Sequence, residues 1–139
     1  MRRGEILGLC WGHVDLKRRS VTILDSKNGY SRTIPLTPGA FALLQAMKEL
    51  AGGEGLRSQR VFPLTAVALR MVWERMLAKT YIVDLHFHDL RHEAISRFFE
   101  MGLTVPEVAS ISGHRDLKML MRYAHADTTR LARKLEAAE

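Results

Sequence analysis

The sequence predicts an α+β fold that is mostly α-helical and carries one small antiparallel β-sheet. Two observations lead to this prediction. Apolar residues recur at helical spacing over most of the chain, whereas residues 14–36 alternate apolar and polar side chains as strands do. A strong turn signal, Asn28-Gly29, divides that alternating segment. We therefore expect a helical domain whose sheet is built around a hairpin.

A short helix and the sheet are predicted for the first part of the chain. Arg2 to Cys10 has helical spacing, and Gly12 is expected to end that helix. Strand alternation is clearest at four positions, Val21, Ile23, Ile34 and Leu36. The hairpin loop, DSKNGYS, would carry Lys27 at its exposed tip. Pro35 indicates that its end of the strand lies at a sheet edge, because proline cannot donate to a neighbouring strand.

Three helices are predicted for the middle of the chain. Thr37 followed by Pro38 begins one helix, and Gly52-Gly53 end it. A second helix is expected from Thr65 to Lys79, with a broad apolar face. A third should run from about His88 to Met101, after the irregular segment YIVDLHF.

Three shorter helices are predicted for the last part of the chain. Thr104 to Glu107 forms a capping-box pattern that starts a helix through Ser112. Asp116 would cap a helix carrying Tyr123, and Asp127 would start the last one. No internal repeat is visible, so spacing alone indicates a fold and no function.

The composition and net charge of the chain indicate which kinds of molecule it is expected to bind. With 139 residues and 47% hydrophobic residues, the chain is long and apolar enough for one folded domain. Its net charge of +6 favours an anionic partner, and nucleic acid is the first candidate. The single cysteine, Cys10, cannot form an internal disulfide, and no apolar run is long enough to span a membrane. We therefore expect a cytoplasmic protein.

Residues 84–125 concentrate the reactive side chains, including five of the six histidines. His88, Arg91 and His92 would project from one side of a helix. Three interpretations are open. The histidine pair has metal-ligand spacing, although the charge of Arg91 and the absence of spaced cysteines argue against zinc. The histidines could simply cap the helix. Alternatively, Arg91 is a bidentate phosphate ligand with His88 as hydrogen-bond donor or proton acceptor.

Two further residues in this stretch have alternative interpretations. His114 follows Gly113, where it could be a partner for the dipole of the preceding helix. Tyr123 could be an ordinary core ring with a satisfied hydroxyl. A phenol near several cationic groups could instead be an oxygen nucleophile toward a phosphodiester.

Several motifs in order give the chain a family resemblance. HDLRH, then GH after a short helix, then RYAH resembles the second motif box of the tyrosine recombinase (phage integrase) family. RRGEILGLCWGHVDL resembles the first box of that family, and SKNGYSRTIPL resembles its lysine-bearing β-hairpin. The resemblance runs from residue 1 to about residue 130, and it implies the catalytic-domain fold of that family.

The resemblance implies a phosphate-binding set. Arg2 matches the first catalytic arginine and Arg91 the second; together they would clamp the non-bridging oxygens of the scissile phosphate. His114 would donate a hydrogen bond to one of those oxygens. Glu5 would orient the active-site groups without contacting the phosphate itself, although a plain acidic residue at a helix start fits the local sequence equally well.

The resemblance also implies the chemical step. Tyr123 would attack the phosphate and form a 3′-phosphotyrosyl link, Lys27 would protonate the leaving 5′-oxygen, and His88 would act as general base or proton relay. No metal, ATP or other cofactor is expected, because two arginines, a lysine and histidines supply the positive charge.

Family members carry an N-terminal DNA-binding domain and further helices before the first box. The resemblance therefore predicts that residues 1–139 are a catalytic domain without those parts, encoded by a bacterium, phage or other mobile element. Expected partners are double-stranded DNA and other copies of the chain. The family usually works as a tetramer on two duplexes, and residues 127–139 would pack in trans.

The leading expectation is a site-specific recombinase or integrase catalytic domain that cuts and rejoins DNA. A DNA-binding remnant without strand transfer is one alternative. An oligomerising interaction fragment is another. Relaxation of DNA in the manner of type IB topoisomerases would use related chemistry.

Overall fold

The structure is a computed structural model that describes residues 1–24, 31–52, 55–124, 132 and 135–136. It divides into two compact units, Met1–His92 and Glu93–Glu139. The described elements, in chain order, are α1 Arg3–Leu7, a 3₁₀ helix Trp11–His13, β1 Val14–Asp15, β2 Ser20–Ile23, β3 Arg32–Pro35, α2 Pro38–Leu50, α3 Ala66–Thr80, α4 Asp89–Glu100, α5 Val105–Ser112 and α6 Lys118–Met121. The predicted fold class is confirmed, since helices predominate beside one antiparallel sheet.

Gly12 has a different role from the predicted one. Helix α1 already ends at Leu7, and Gly12 lies within the following 3₁₀ helix. Its backbone N–H donates to the carbonyl oxygen of Arg57 at 2.9 Å, and a Cβ on Gly12 would also come within 2.9 Å of that oxygen. Glycine is required here because two backbone segments approach closely.

The sheet in the described residues has the strand order β1-β2-β3, with antiparallel pairs. Val21, Ile23 and Ile34 are buried, as the alternation predicts. Pro35 lies in β3, an outer strand of this sheet, which agrees with the expected edge position. Residues 25–30, including the predicted turn, lie outside the described residues.

The predicted threonine cap of α2 is present, and α3 has a threonine cap as well. The Thr37 hydroxyl accepts a hydrogen bond from Ala40 N at the start of α2, and Thr65 accepts one from Ala68 N at the start of α3. The broad apolar face of α3 is only partly covered. None of its residues is buried, and Val67 stays 59% exposed.

The second unit has its own apolar core. Ile95, Phe99, Val108 and Leu120 form a buried cluster contributed by α4, α5 and α6. The cluster fixes three short helices that would be marginal in isolation, because most helical stability comes from packing an apolar face.

The start of α5 follows the sequence, but the bounds of α6 do not. The N-cap of α6 is Leu117 instead of the predicted Asp116, whose carboxylate accepts the Lys118 backbone N–H at 2.9 Å. At the start of α5, the Glu107 carboxylate accepts hydrogen bonds from the backbone N–H of Thr104 at 2.6 Å and from its hydroxyl at 2.7 Å. Helix α6 ends at Met121, so the prediction that a helix carries Tyr123 is wrong. Tyr123 N donates to Leu120 O, a three-residue closure typical of a tight turn.

The carboxyl-terminal segment is described only in part. Residues 132 and 135–136 are helical, and Leu135 is 71% exposed. The rest of the helix predicted from Asp127 lies outside the described residues. No helix in the described part of the chain is long and apolar enough to cross a membrane.

Truncating Leu120 should destabilise the second unit strongly. Leu120 is 0% exposed, so Leu120→Ala leaves a cavity that a close-packed cluster fills poorly. We expect the free energy of unfolding to fall by about 2–5 kcal/mol. Urea unfolding followed by circular dichroism measures it. Leu117→Ala is the matched control, because Leu117 is 45% exposed, and an equal loss in both variants would contradict the assigned core.

Candidate active site

The structure brings Arg2 and His88 to one cleft in the first unit. The cleft has a volume of about 780 Å³, and its walls include Arg3, Trp73 and Phe87. Basic side chains thus share a concave surface with aromatic rings. Glu74 and Asp84 also line the cleft, so charges of both signs lie beside its aromatic rings.

Glu5 holds Arg2 through two contacts. The backbone N–H of Arg2 donates to Glu5 Oε2 at 2.6 Å, and Arg2 Nη1 lies 3.2 Å from Glu5 Oε1. Glu5 is the third residue of α1, from which its carboxylate reaches back to the residue preceding the helix. About half of the Arg2 side chain, 51%, stays open to solvent.

Arg32 is the second cation on this carboxylate. Arg32 Nη2 donates to Glu5 Oε2 at 2.8 Å, and the Arg32 and Glu5 side chains are only 17% and 14% exposed. A charge-assisted hydrogen bond shielded from water is stronger than an exposed pair. Glu5 therefore joins the start of α1 to the start of β3.

The ionisation of Glu5 reflects these contacts. Burial alone would raise the pKa of the Glu5 carboxyl. The hydrogen bonds from Arg32 and from the Arg2 backbone, together with the charges of both arginines, outweigh burial and lower that pKa below its ordinary value. Glu5 is thus held as a carboxylate.

The lowered pKa makes the contribution of Glu5 to stability depend on pH. A depressed folded-state pKa stabilises the fold above the ordinary value of 4.5, and this contribution is lost as pH falls through the folded-state pKa. We expect wild type to exceed Glu5→Gln in free energy of unfolding at pH 6 to 7, and the difference to shrink below about pH 4.5. Urea unfolding of both proteins across that pH range measures this difference. A difference that does not change with pH would contradict the hydrogen bonds that Glu5 accepts from Arg2 and Arg32.

Arg91 belongs to the same electrostatic neighbourhood. The pKa of the Met1 amine is lowered by burial and by the charge of Arg91, whereas Glu5 opposes the shift. Arg91 is only 8% exposed. Burying a guanidinium costs solvation, so buried charges in proteins are normally paired or hydrogen-bonded. Arg91 therefore combines burial with proximity to the arginine–glutamate cluster.

His88 lies in the turn immediately before α4. Its carbonyl oxygen accepts the backbone N–H of Arg91 at 2.9 Å, so the two residues share the first turn of that helix. The His88 side chain is exposed, and its ring meets the His92 ring edge-on at 4.9 Å between centroids. The described residues contain no group of three or more His, Cys, Asp or Glu arranged to hold a metal ion.

Contacts with α3 fix the segment that carries His88. Trp73 Nε1 donates to the carbonyl oxygen of Leu85 at 3.1 Å, and the Trp73 and Phe87 rings meet edge-on at 5.4 Å. The Asp89 carboxylate accepts the backbone N–H of His86 at 2.7 Å, and this hydrogen bond lowers the pKa of Asp89. The irregular segment predicted here is therefore ordered by local hydrogen bonds and ring packing.

In the second unit, His114 follows the end of α5. Gly113 adopts a left-handed conformation with φ 74°, and its N–H caps the helix on Ala109 O. His114 Nδ1 lies 2.7 Å from the hydroxyl of Ser112, which is 3% exposed. Gly113 supplies the backbone cap of α5, and the contact with the buried serine fixes the His114 ring.

Tyr123 is partly buried against the core of the second unit. Its ring packs on the cluster that contains Leu120, and the Arg122 guanidinium lies 5.9 Å from the ring centroid. The core-ring interpretation therefore explains the ring and leaves the role of its hydroxyl open. Lys27, the remaining predicted site residue, lies outside the described residues.

The sequence around Arg32 carries a signal of its own for a role of that residue. Arg32 and Ile34 are two residues apart, so they lie on the same face of β3, and Ile34 is buried. An arginine on the buried face of a strand needs an acidic partner. That partner is Glu5, 27 residues away in the sequence.

Residues 1–130 match the model of the phage integrase family. The chain belongs to this family. It is 47% identical over 138 residues to the shufflon-specific DNA recombinase of Escherichia coli, covering 99% of this chain and 34% of that protein. It is 29% identical over 145 residues to tyrosine recombinase XerC of Xylella fastidiosa, covering 99% and 48%. The chain therefore spans about a third to a half of these curated relatives.

Solved structures agree with the family fold. The catalytic domain of bacteriophage HP1 integrase superposes with a TM-score of 0.71 at 24% identity, covering 98% of this chain and 73% of that domain. The Tn1549 transposon integrase in complex with transposon right-end DNA gives 0.72 at 19% identity, covering 99% and 54%. The family's catalytic-domain fold, expected from the motifs, is confirmed.

Proposed function

We propose that this chain is the catalytic domain of a site-specific DNA recombinase that cuts and rejoins DNA through Tyr123. One observation carries the proposal. Arg2 and His88, far apart in the sequence, line one cleft in a chain whose family match covers residues 1–130. The buried Arg91 in the same unit adds a second guanidinium.

The proposed step conserves the energy of the phosphodiester. The Tyr123 hydroxyl oxygen attacks phosphorus, the bond from phosphorus to the 5′-oxygen breaks, and a 3′-phosphotyrosyl link forms. His88 takes the phenolic proton, and Lys27 gives a proton to the leaving 5′-oxygen. Attack by a 5′-hydroxyl on the phosphotyrosine reverses the step without ATP.

The proposed charge stabilisation comes from the protein. Arg2 and Arg91 clamp the non-bridging oxygens, which carry the developing charge, and His114 donates to one of them. Glu5 stays ionised behind Arg2 and orients it. We propose that this set acts without a metal or another cofactor.

We propose double-stranded DNA and further copies of the chain as partners, in the cytoplasm. The net charge of +6 and the DNA-bound Tn1549 relative support a DNA partner. The exposure of Leu135, 71%, supports packing of residues 127–139 on a second copy. Cys10 is a free thiol, in keeping with a reducing compartment.

A nicked suicide substrate tests the function. The protein is incubated in EDTA with nicked duplexes made from shufflon DNA, as the name of its 47%-identical relative suggests, and with a pool randomised around the nick. A protein–DNA adduct that survives denaturant supports the proposal. Salt-sensitive binding without an adduct would replace it with a DNA-binding remnant, and no binding at low salt would favour an interaction fragment.

A further inference from the structure

We infer that Arg32 is a positioning residue for Arg2, acting through the Glu5 carboxylate. The inference rests on the proposed function and adds a residue that the resemblance did not assign. Arg32 Nη2 donates to Oε2 of Glu5 at 2.8 Å, the oxygen that also accepts the Arg2 backbone N–H, whereas the Arg2 guanidinium lies 3.2 Å from Oε1. Arg32 therefore fixes the carboxylate plane so that its other oxygen faces Arg2.

The position of Arg32 in the sheet makes this support rigid. In the antiparallel register, Arg32 pairs with Ile23, and both Ile23 and the neighbouring Ile34 are buried. The stem of Arg32 thus leaves a strand whose core face is fixed, and its side chain is only 17% exposed. Arg2 is different, because it precedes a five-residue helix and its side chain is 51% exposed. The more exposed end of this Arg2–Glu5–Arg32 bridge is consequently held by the more buried end.

The bridge also connects two parts of the site along the chain. Strand β3 begins five residues after Lys27 in the sequence, and α1 begins directly after Arg2. Through Glu5, the start of this strand and the start of this helix share one hydrogen-bonded carboxylate. Small displacements of catalytic groups reduce rates strongly, so a fixed bridge matters for the chemical step.

A double-mutant cycle on adduct formation tests the inference. Arg32→Met removes the charge and keeps the stem, and Arg32→Lys is the conservative variant. We expect Arg32→Met to slow adduct formation at saturating protein by about tenfold or more. In a Glu5→Gln background the same change should cost less than about twofold, because coupled residues are non-additive. Arg32→Lys should restore part of the rate, and the Kd for DNA should change little.

Several outcomes would overturn the inference. An equal loss of rate in both backgrounds would mean that Arg32 acts without Glu5. A loss confined to the Kd, with a changed salt dependence, would make Arg32 a direct phosphate contact. An unchanged rate in Arg32→Met would remove the role altogether.

A second measurement separates this inference from the proposed function. If wild type forms no adduct, the proposed function fails. NMR can still test whether Arg32 acts on Glu5 and Arg2. In Arg32→Met we expect the Glu5 carboxyl to titrate at higher pH than in wild type, and the Arg2 guanidinium resonance to shift. An unchanged Glu5 titration and an unchanged Arg2 resonance would overturn the positioning role even in a protein without activity.

Discussion

Tyr123→Phe is expected to abolish the covalent adduct with nicked DNA and to leave the fold and the DNA affinity unchanged. The reason is chemical, because phenylalanine lacks the oxygen that forms the bond to phosphorus. The ring of Tyr123 packs on the core cluster of the second unit, and phenylalanine preserves that packing. The measurement is a denaturing gel of the adduct, accompanied by thermal unfolding and a binding titration.

Tyr81 provides the matched control for this prediction. It is 91% exposed at the end of α3, so Tyr81→Phe should change neither the adduct nor stability. Adduct formation that persists in Tyr123→Phe, or disappears in Tyr81→Phe, would show that another hydroxyl is the nucleophile.

Arg91→Ala should reduce the rate of adduct formation by about 10²–10³-fold, the usual cost of losing one preorganised donor to a developing oxyanion. Arg91 is buried, so water cannot easily replace its guanidinium at the phosphate. Arg91→Lys keeps the charge and loses the planar fork, and we expect it to restore only part of the rate. Single-turnover kinetics at saturating protein measure these rates.

A second arginine on the same helix serves as control. The Arg97 side chain is 69% exposed and pairs with Glu93 at 2.8 Å, an arrangement that contributes little to stability. The Arg97→Ala variant should form the adduct at the wild-type rate. Equal adduct yields from Arg91→Ala and wild type, with the circular dichroism spectrum of both intact, would contradict the phosphate clamp.

Features that depend on neighbouring residues were predictable from the sequence. Thr37 caps α2 as predicted, because an N-cap bond reaches only three residues along the chain, and Thr65, at the predicted start of the next helix, caps α3 in the same way. Alternation likewise identified Val21 and Ile23 as buried strand residues. The order of the motifs also identified the family.

Features that depend on contacts distant in the sequence were not predictable. The requirement for glycine at Gly12 arises from the backbone of Arg57, which no local pattern reveals. The partnership of Arg32 with Glu5 depends on which strand face turns inward, and that depends on register and packing. The end of α6 before Tyr123 follows from a turn that closes on Leu120, a residue held by the core.

The proposed site residues lie in both units of the structure. Glu5 links Arg2 to Arg32 by hydrogen bonds, and Arg91 shares their electrostatic neighbourhood. His114 and Tyr123 flank α6 in the second unit. The claim that these groups act on one phosphate is our proposal, and a direct chemical measurement can test it.

That measurement is tandem mass spectrometry of the adduct after nuclease and protease digestion, with the reaction run in EDTA. The chain has three tyrosines, Tyr30, Tyr81 and Tyr123. The proposed mechanism predicts a nucleotide joined through its 3′-phosphate to the hydroxyl oxygen of Tyr123. A nucleotide on another residue, a 5′-phosphate linkage, or no covalently bound nucleotide on a substrate that the protein binds would contradict it.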